Sequence, residues 1–439
     1  MSSLVAILLA STALAGEPAQ VEVRGYAETR GQITDQDGVP WSATARVRPT
    51  LEVASANERL MLTTTVQASA TVGRWDTGEL VTTLEDQPDY NLVVQAASGG
   101  QYQDTVASLE AGSGPVQRER AYPLGSVISV PRLHLDWNTK VADIRVGRQA
   151  LNWGSAMVYH PTDLFAQVLA NRPWEERQGV DGGRINLPIG DKLLLTAAGG
   201  FRPGFEDGRA AVRTTAFVGP FDASVIAFTD TEVWGAGIDL KGTAGVGWWI
   251  EAAATEHIEA VVGVDYSLPV LYAFTFGFEG IYNGYGGDRS LDPTGQLVFA
   301  DECDDWYEAC AKTSGGSLGD GATGLANTWY ADATLHVGFT ADLSTTVVAV
   351  WGIEDSTGWV YPYATLLAGS HWSFNLGALM FVGKEGEFHP DLSALDPMNI
   401  AATIPAEQLE ALGLTEPPTM DLSGQTPRVS GQAWIRASF

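Results

Sequence analysis

The chain has 439 residues, of which 45% are hydrophobic and 10% aromatic, with 49 glycines and a formal charge of −28. Such acidity argues against nucleic acid or anionic lipid as a partner, and no apolar run reaches the roughly 18 to 20 residues that a membrane helix needs. A helical membrane protein is excluded on that count, while a secreted soluble protein and an outer-membrane barrel both stay open.

Leu4 to Leu14 is an apolar run too short to span a bilayer, and Ala13-Leu14-Ala15 closes it with a small-x-small cleavage signature. Residues 1–15 therefore read as a secretory signal peptide, although its first residues hold no Lys or Arg, and residues 16–439 as one domain. No cysteine follows the cleavage point, which disfavours a lipoprotein anchor.

From there period-two alternation dominates. Glu22, Arg24, Tyr26, Glu28 and Arg30 share one face, opposite Val21, Val23, Gly25, Ala27 and Thr29. Thr44, Arg46, Arg48, Thr50 and Glu52 oppose Ala45, Val47, Pro49, Leu51 and Val53, and farther on Phe274, Phe276 and Phe278 oppose Thr275, Gly277 and Glu279. A soluble sandwich alternates in the same way, so this pattern alone does not decide.

Loop lengths decide better. Strands are expected near 21–31, 42–54, 59–72, 128–138, 141–152, 180–189, 192–202, 209–219, 221–230, 232–241, 243–255, 258–268, 272–285, 326–340, 342–354, 359–369, 371–382 and 428–439. Every second connection is a tight turn, whereas the others include long loops at 73–127, 153–179, 286–325 and 383–427. Short periplasmic turns on one rim and long external loops on the other predict an all-β, transmembrane antiparallel β-barrel of about 18 strands, with 16 as the alternative. The last strand ends with Phe439 in its apolar phase, which resembles the insertion signal read by the bacterial barrel-assembly machinery.

In the fifth expected strand and its loop stand "VGRQALNWG" (146–154) and "PTDLF" (161–165). They resemble the G-R-Q-x-x-x-W-G signature of porin-like outer-membrane proteins of Gram-negative bacteria, a group that includes alginate-export-type barrels. The resemblance covers residues 145–165 and the barrel pattern. It implies a channel in the bacterial outer membrane and names no solute.

Within such a barrel the polar phase lines the lumen. Nineteen of the 25 Lys and Arg residues precede residue 220. Arg24, Arg30, Arg46, Arg48, Arg132, Arg145, Arg184 and Arg213 all fall in the polar phase, predicting a basic arc in which Arg46, Arg48, Arg132 and Arg145 lead. Arginine suits that role because its fork binds carboxylate or phosphate bidentately and stays charged. Asp288, Asp292, Asp301, Glu302, Asp304, Asp305 and Glu308 crowd one loop and would set a transverse field against the arc. A plainer reading pairs the arginines with Glu22, Glu28, Glu52, Asp136 and Asp143, and the two are compatible.

Residues 73–127 and 383–427 are candidates to narrow the lumen. Arg148 breaks the alternation directly after Gly147, as a bulge allows, which would re-aim it into the pore or onto the 153–179 loop. Arg148, Gln149, Trp153 and Asp163 then form a loop-to-wall clamp, with Asp163 reaching back to Arg148 and Trp153 at the level of the external headgroups. Cys303 and Cys310 favour a small disulfide over a metal site, since no histidine lies near.

No metal or cofactor is expected. His371-x-Ser373-x-Asn375 resembles the grouping of outer-membrane phospholipases but lacks the Asn-Gly that should follow the serine, and His134-x-Asp136 reads as lumenal pairing. The expected function is passive diffusion of small polar or anionic solutes through a charge-lined pore. A barrel lipid hydrolase and a closed structural or secretion-linked barrel are the other classes. Expected partners are outer-membrane lipid, the solutes and the assembly machinery; nucleic acid is excluded, and homo-oligomerisation is left open.

Overall fold

A computed structural model describes residues 20–34, 41–55, 57–74, 122–165, 179–201, 208–229, 233–255, 257–284, 286, 289–291, 297–299, 327–354, 356–383 and 428–439. Thirteen strands come first: β1 (Gln20–Thr34), β2 (Trp41–Ala54), β3 (Leu60–Arg74), β4 (Tyr122–Asn138), β5 (Asp143–Gln149), β6 (Val180–Ile189), β7 (Leu193–Phe201), β8 (Gly208–Val218), β9 (Phe221–Thr229), β10 (Trp234–Thr243), β11 (Gly247–Ala254), β12 (Ile258–Leu268) and β13 (Ala273–Asn283). A separate two-stranded hairpin, β14 (Arg289–Leu291) and β15 (Leu297–Phe299), follows. The chain then returns to β16 (Trp329–Gly338), β17 (Leu343–Gly352), β18 (Thr357–Ala368), β19 (Trp372–Gly383) and β20 (Val429–Ser438).

Each of the eighteen large strands pairs antiparallel with its neighbours in sequence, and β1 pairs with β20, so the sheet closes on itself. At the seam Gly25 N–H donates to the Phe439 carbonyl at 2.9 Å, and Phe439 N–H to the Gly25 carbonyl at 3.0 Å. Closure satisfies every strand edge internally, which a wall surrounded by lipid requires. The count is eighteen, so the sixteen-strand alternative falls away.

Alternation sorts the two faces. In β12 Ile258, Val262 and Val264 are exposed on the outside while Glu259, Val261 and Gly263 are buried inside. Outward aromatics gather at both ends of the wall. Trp41, Trp234, Trp329 and Trp351 stand toward the long connections, and Trp137, Phe221, Phe339, Trp372 and Phe439 toward the tight turns. Two aromatic girdles around an apolar band are the surface of a bilayer-spanning barrel.

One irregularity positions the site. Between the pairs Thr65↔Arg132 and Gln67↔Ser129, β4 carries an extra residue at Val130-Pro131. Proline has no N–H to give to a ladder, so a bulge accommodates it. The next strand, β5, stops at Gln149, three residues short of the expected 152, because the chain there turns away from the wall.

Candidate functional site

Beyond β5, residues 150–165 run through the barrel interior with no helix or strand. Irregular backbone away from water must find other hydrogen-bond partners, and carboxylates on the inner wall supply them. Glu251 of β11 accepts Ser155 N–H at 3.0 Å and Ala156 N–H at 3.1 Å on one oxygen. Its other oxygen accepts Thr162 N–H at 2.8 Å and the Thr162 hydroxyl at 2.7 Å. Glu279 of β13 takes Met157 N–H at 2.5 Å, Val158 N–H at 3.1 Å and the Trp249 indole N–H at 2.6 Å.

Asp239 of β10 accepts the Ser155 hydroxyl at 2.5 Å and Arg213 Nη2 at 2.7 Å, while the Tyr159 hydroxyl donates to Glu259 of β12. Four consecutive strands thus each contribute one acid. Hydrogen bonds to ionised acceptors are roughly twice as strong as neutral ones. The approach is close enough to exclude a side chain at Gly154: its φ is +98°, and a Cβ there would lie 2.4 Å from a Glu251 carboxylate oxygen.

Apolar contacts fill in around this rack. Leu151, Trp153, Leu164 and Phe165 bury themselves against Ala198 of β7, Ala211 of β8, Ile226 and Phe228 of β9 and Ala253 of β11. Ala156 and Tyr159 join Val261, Ile281, Tyr330, Val350, Trp359, Tyr361 and Leu379 on β12 to β19. The core of the molecule is therefore the lumenal segment seated on one half of the inner wall.

The other half, from β20 through β1 to β6, carries the arginines. Glu28 accepts Arg436 Nε at 2.9 Å and Nη2 at 2.7 Å, with Arg30 at 3.5 Å and Arg46 at 3.9 Å. Arg145 grips Asp136 through two bonds of 2.5 and 3.2 Å, and Arg184 stands directly across from Arg145 on β6. Arg132 donates to the Pro131 carbonyl at 2.8 Å, Arg48 lies opposite Tyr26, and Arg24 pairs with Glu52 at 2.5 Å near the tight-turn rim. Arg30 stacks over Trp434 at 5.0 Å and Arg436 over Tyr26 at 4.1 Å.

Arg213 departs from the expected arc. It lies beneath the lumenal segment, bonded to Ser224 and Asp239.

The expected clamp is corrected. No bulge occurs in β5: Gly147 keeps the inward phase opposite His134, so Arg148 follows the alternation outward, opposite Leu133 and Asp181. There it holds Asp181 through bonds of 2.8 and 2.5 Å and reaches the carbonyl of Val130, in the β4 bulge, at 3.3 Å. Arg148 ties β4 to β6 across the end of β5 and does not line the pore.

Asp163, buried, accepts Phe165 N–H at 3.3 Å inside its own turn rather than meeting Arg148. Trp153 is in the lumen, edge-on to Phe165 at 5.7 Å and 83°, not at the headgroup level. Gln149, fully buried, points its amide at the carbonyls of Arg145, Gly147 and Gly182 at 3.3–3.5 Å. Exposed ion pairs contribute little, so Arg148→Ala should cost about 1 kcal/mol and leave ion selectivity unchanged. Denaturation midpoints and reversal potentials check this, and an altered reversal potential would return Arg148 to the pore.

Sequence reading missed Asp239, Glu251 and Glu259 as anchors and left Glu279 without a role. It also passed over Arg436. The available signal was an acid in the inward phase of each of four successive strands, with Asp239 and Glu251 directly cross-paired. Cys303, Cys310 and most of loops 73–127, 286–325 and 383–427 lie outside the described residues. Among the described residues no catalytic grouping forms around Ser373: His371 Nδ1 faces the Ser438 carbonyl at 3.0 Å, and Ser373 receives the Asn375 amide at 3.3 Å. His134 faces Asp136 at 3.6 Å and the Arg148 carbonyl at 3.3 Å, within the wall.

No family model matches this chain, and no curated protein matches it. Among solved structures it is similar to OccK5 (OpdH) of Pseudomonas aeruginosa, at 7% identity over 95% of this chain and 98% of that one, with a TM-score of 0.49. It is likewise similar to the outer membrane protein OprD of Pseudomonas aeruginosa, at 10% identity over 95% and 93%, TM-score 0.49. A third is Pseudomonas aeruginosa OpdL, at 10% identity over 96% and 99%, TM-score 0.47. Likeness at this level assigns neither a family nor a function.

Proposed function

We propose that this protein is a porin-like channel of the bacterial outer membrane that passes small polar or anionic solutes by diffusion. One observation carries the reading: residues 150–165 occupy the inner wall from β7 to β19, so that among the described residues the open side of the lumen is the arginine-bearing wall of β20 and β1 to β6. A narrow path along fixed guanidiniums raises the local concentration of anions. No covalent chemistry, metal or cofactor enters the mechanism.

The apolar band with two aromatic girdles supports embedding in outer-membrane lipid. Residues 1–15 would export the chain as a signal peptide, and Phe439 would present it to the assembly machinery. The G-R-Q-x-x-x-W-G resemblance supports the same class, with its arginine, Arg148, serving the wall and its Trp153 and Gly154 serving the lumenal segment.

Arg46→Ala/Arg145→Ala should lower the anion-to-cation permeability ratio in planar bilayers, by roughly two-fold or more for two charges at the pore wall. Unchanged reversal potentials in a salt gradient would defeat the anion assignment. A folded protein without conductance would favour a closed structural barrel instead.

A further inference from the structure

The arginine wall carries less net positive charge than it displays, because one acid is buried among its guanidiniums. Glu28 on β1 is in direct register with Arg46 on β2 and with Arg436 on β20, and Arg30 follows two residues along its own strand. Its side chain is 2% exposed, whereas those of Arg30, Arg46 and Arg436 are 16%, 28% and 33% exposed. A solute beside this cluster therefore touches its guanidiniums and not its carboxylate, yet it feels a local charge of +2 from three arginines and one acid.

The guanidiniums do not depend on Glu28 alone for their placement. Arg30 lies on Trp434 and Arg436 on Tyr26, and stacking of this kind fixes the plane of an arginine by itself. The Nε atoms of Arg30 and Arg46 are buried without a hydrogen-bond acceptor among the described residues. A buried donor of this kind calls for an ordered water or an ion as its partner.

We infer that Glu28 is a specificity-determining residue: a concealed counter-charge that sets how strongly the Arg30–Arg46–Arg436 seat prefers an oxyanion, without itself meeting the solute. This rests on the proposed channel function. It differs from a purely structural ion pair in one respect, since the charge of residue 28, rather than its fit, governs ion preference.

The test is reversal potential in a potassium chloride gradient across planar bilayers, using the full chain. Glu28→Gln should raise the anion-to-cation permeability ratio by roughly two-fold. Glu28→Asp, which keeps the charge, should match wild type, and Glu28→Gln/Arg46→Gln, which restores the local charge to +2, should return the ratio to the wild-type value. Should the single glutamine variant not fold, the same comparison is made between the double variant and Arg46→Gln alone, where the double must show the higher ratio by the same factor.

Glu28→Gln matching wild type, the double variant matching Arg46→Gln alone, or Glu28→Asp shifting as far as Glu28→Gln, would overturn the assignment. A wild-type channel without anion preference would overturn the proposed solute class, while a shift in Glu28→Gln against that background would leave the role of Glu28 standing.

Discussion

Glu251→Ala should release the lumenal segment and enlarge the channel. The substitution removes the acceptor of three backbone N–H groups, on Ser155, Ala156 and Thr162, and of the Thr162 hydroxyl. Each buried donor left unmet costs about 1–3 kcal/mol, so the seated segment loses at least about 3 kcal/mol if it stays in place. Local loosening of Ser155 to Thr162, which lets water reach those donors while Trp153 and Phe165 stay packed, is the cheaper outcome. Single-channel conductance should rise, and proteolytic cleavage within 150–165 should become faster. Glu251→Gln should fall between, because an amide keeps one acceptor and turns a donor toward the N–H groups. Wild-type conductance together with wild-type resistance to cleavage in Glu251→Ala would show that the rack does not hold the segment.

Trp153→Ala should act on the same segment through its apolar packing. Trp153 is 4% exposed and packs on Phe165 and the inner faces of β7 to β9. Emptying a buried tryptophan site costs about 3–5 kcal/mol. Conductance should increase while anion preference persists, because the arginine wall is untouched. The experiment separates two placements of this residue. A tryptophan at the lipid interface would change the stability of the barrel in detergent and leave conductance alone.

The wall was far more legible in the sequence than its filling. Strand number, the parity of short and long connections and the inward phase of Arg24, Arg46, Arg48, Arg132, Arg145 and Arg184 all follow from period two, which lipid on one side and water on the other impose residue by residue. Arg148 misled because a charged residue in the apolar phase suggests a bulge. The bulge sits instead on the neighbouring strand at Pro131, and Asp181, one strand away, neutralises Arg148 on the outer face.

The lumenal segment was illegible for a different reason. Its amides bind to acids that are distant in sequence, and an irregular stretch has no periodicity of its own. The loops 73–127 and 383–427, expected to narrow the lumen, lie mostly outside the described residues; among the described residues the constriction comes from 150–165, where Trp153, Gly154 and Phe165 hold the information in shape rather than in pattern.

The bonds from the segment to Glu251 and Glu279 join residues 89 to 122 positions apart in the chain. Loop closure over such distances is slow and gains nothing until both ends are in place. β11 and β13 must stand in the wall before Ser155 to Thr162 have anything to hold. The first half of the wall alone leaves Ser155 to Thr162 unseated, so the width of the pore is fixed by strands that the chain has yet to reach when it lays down the segment.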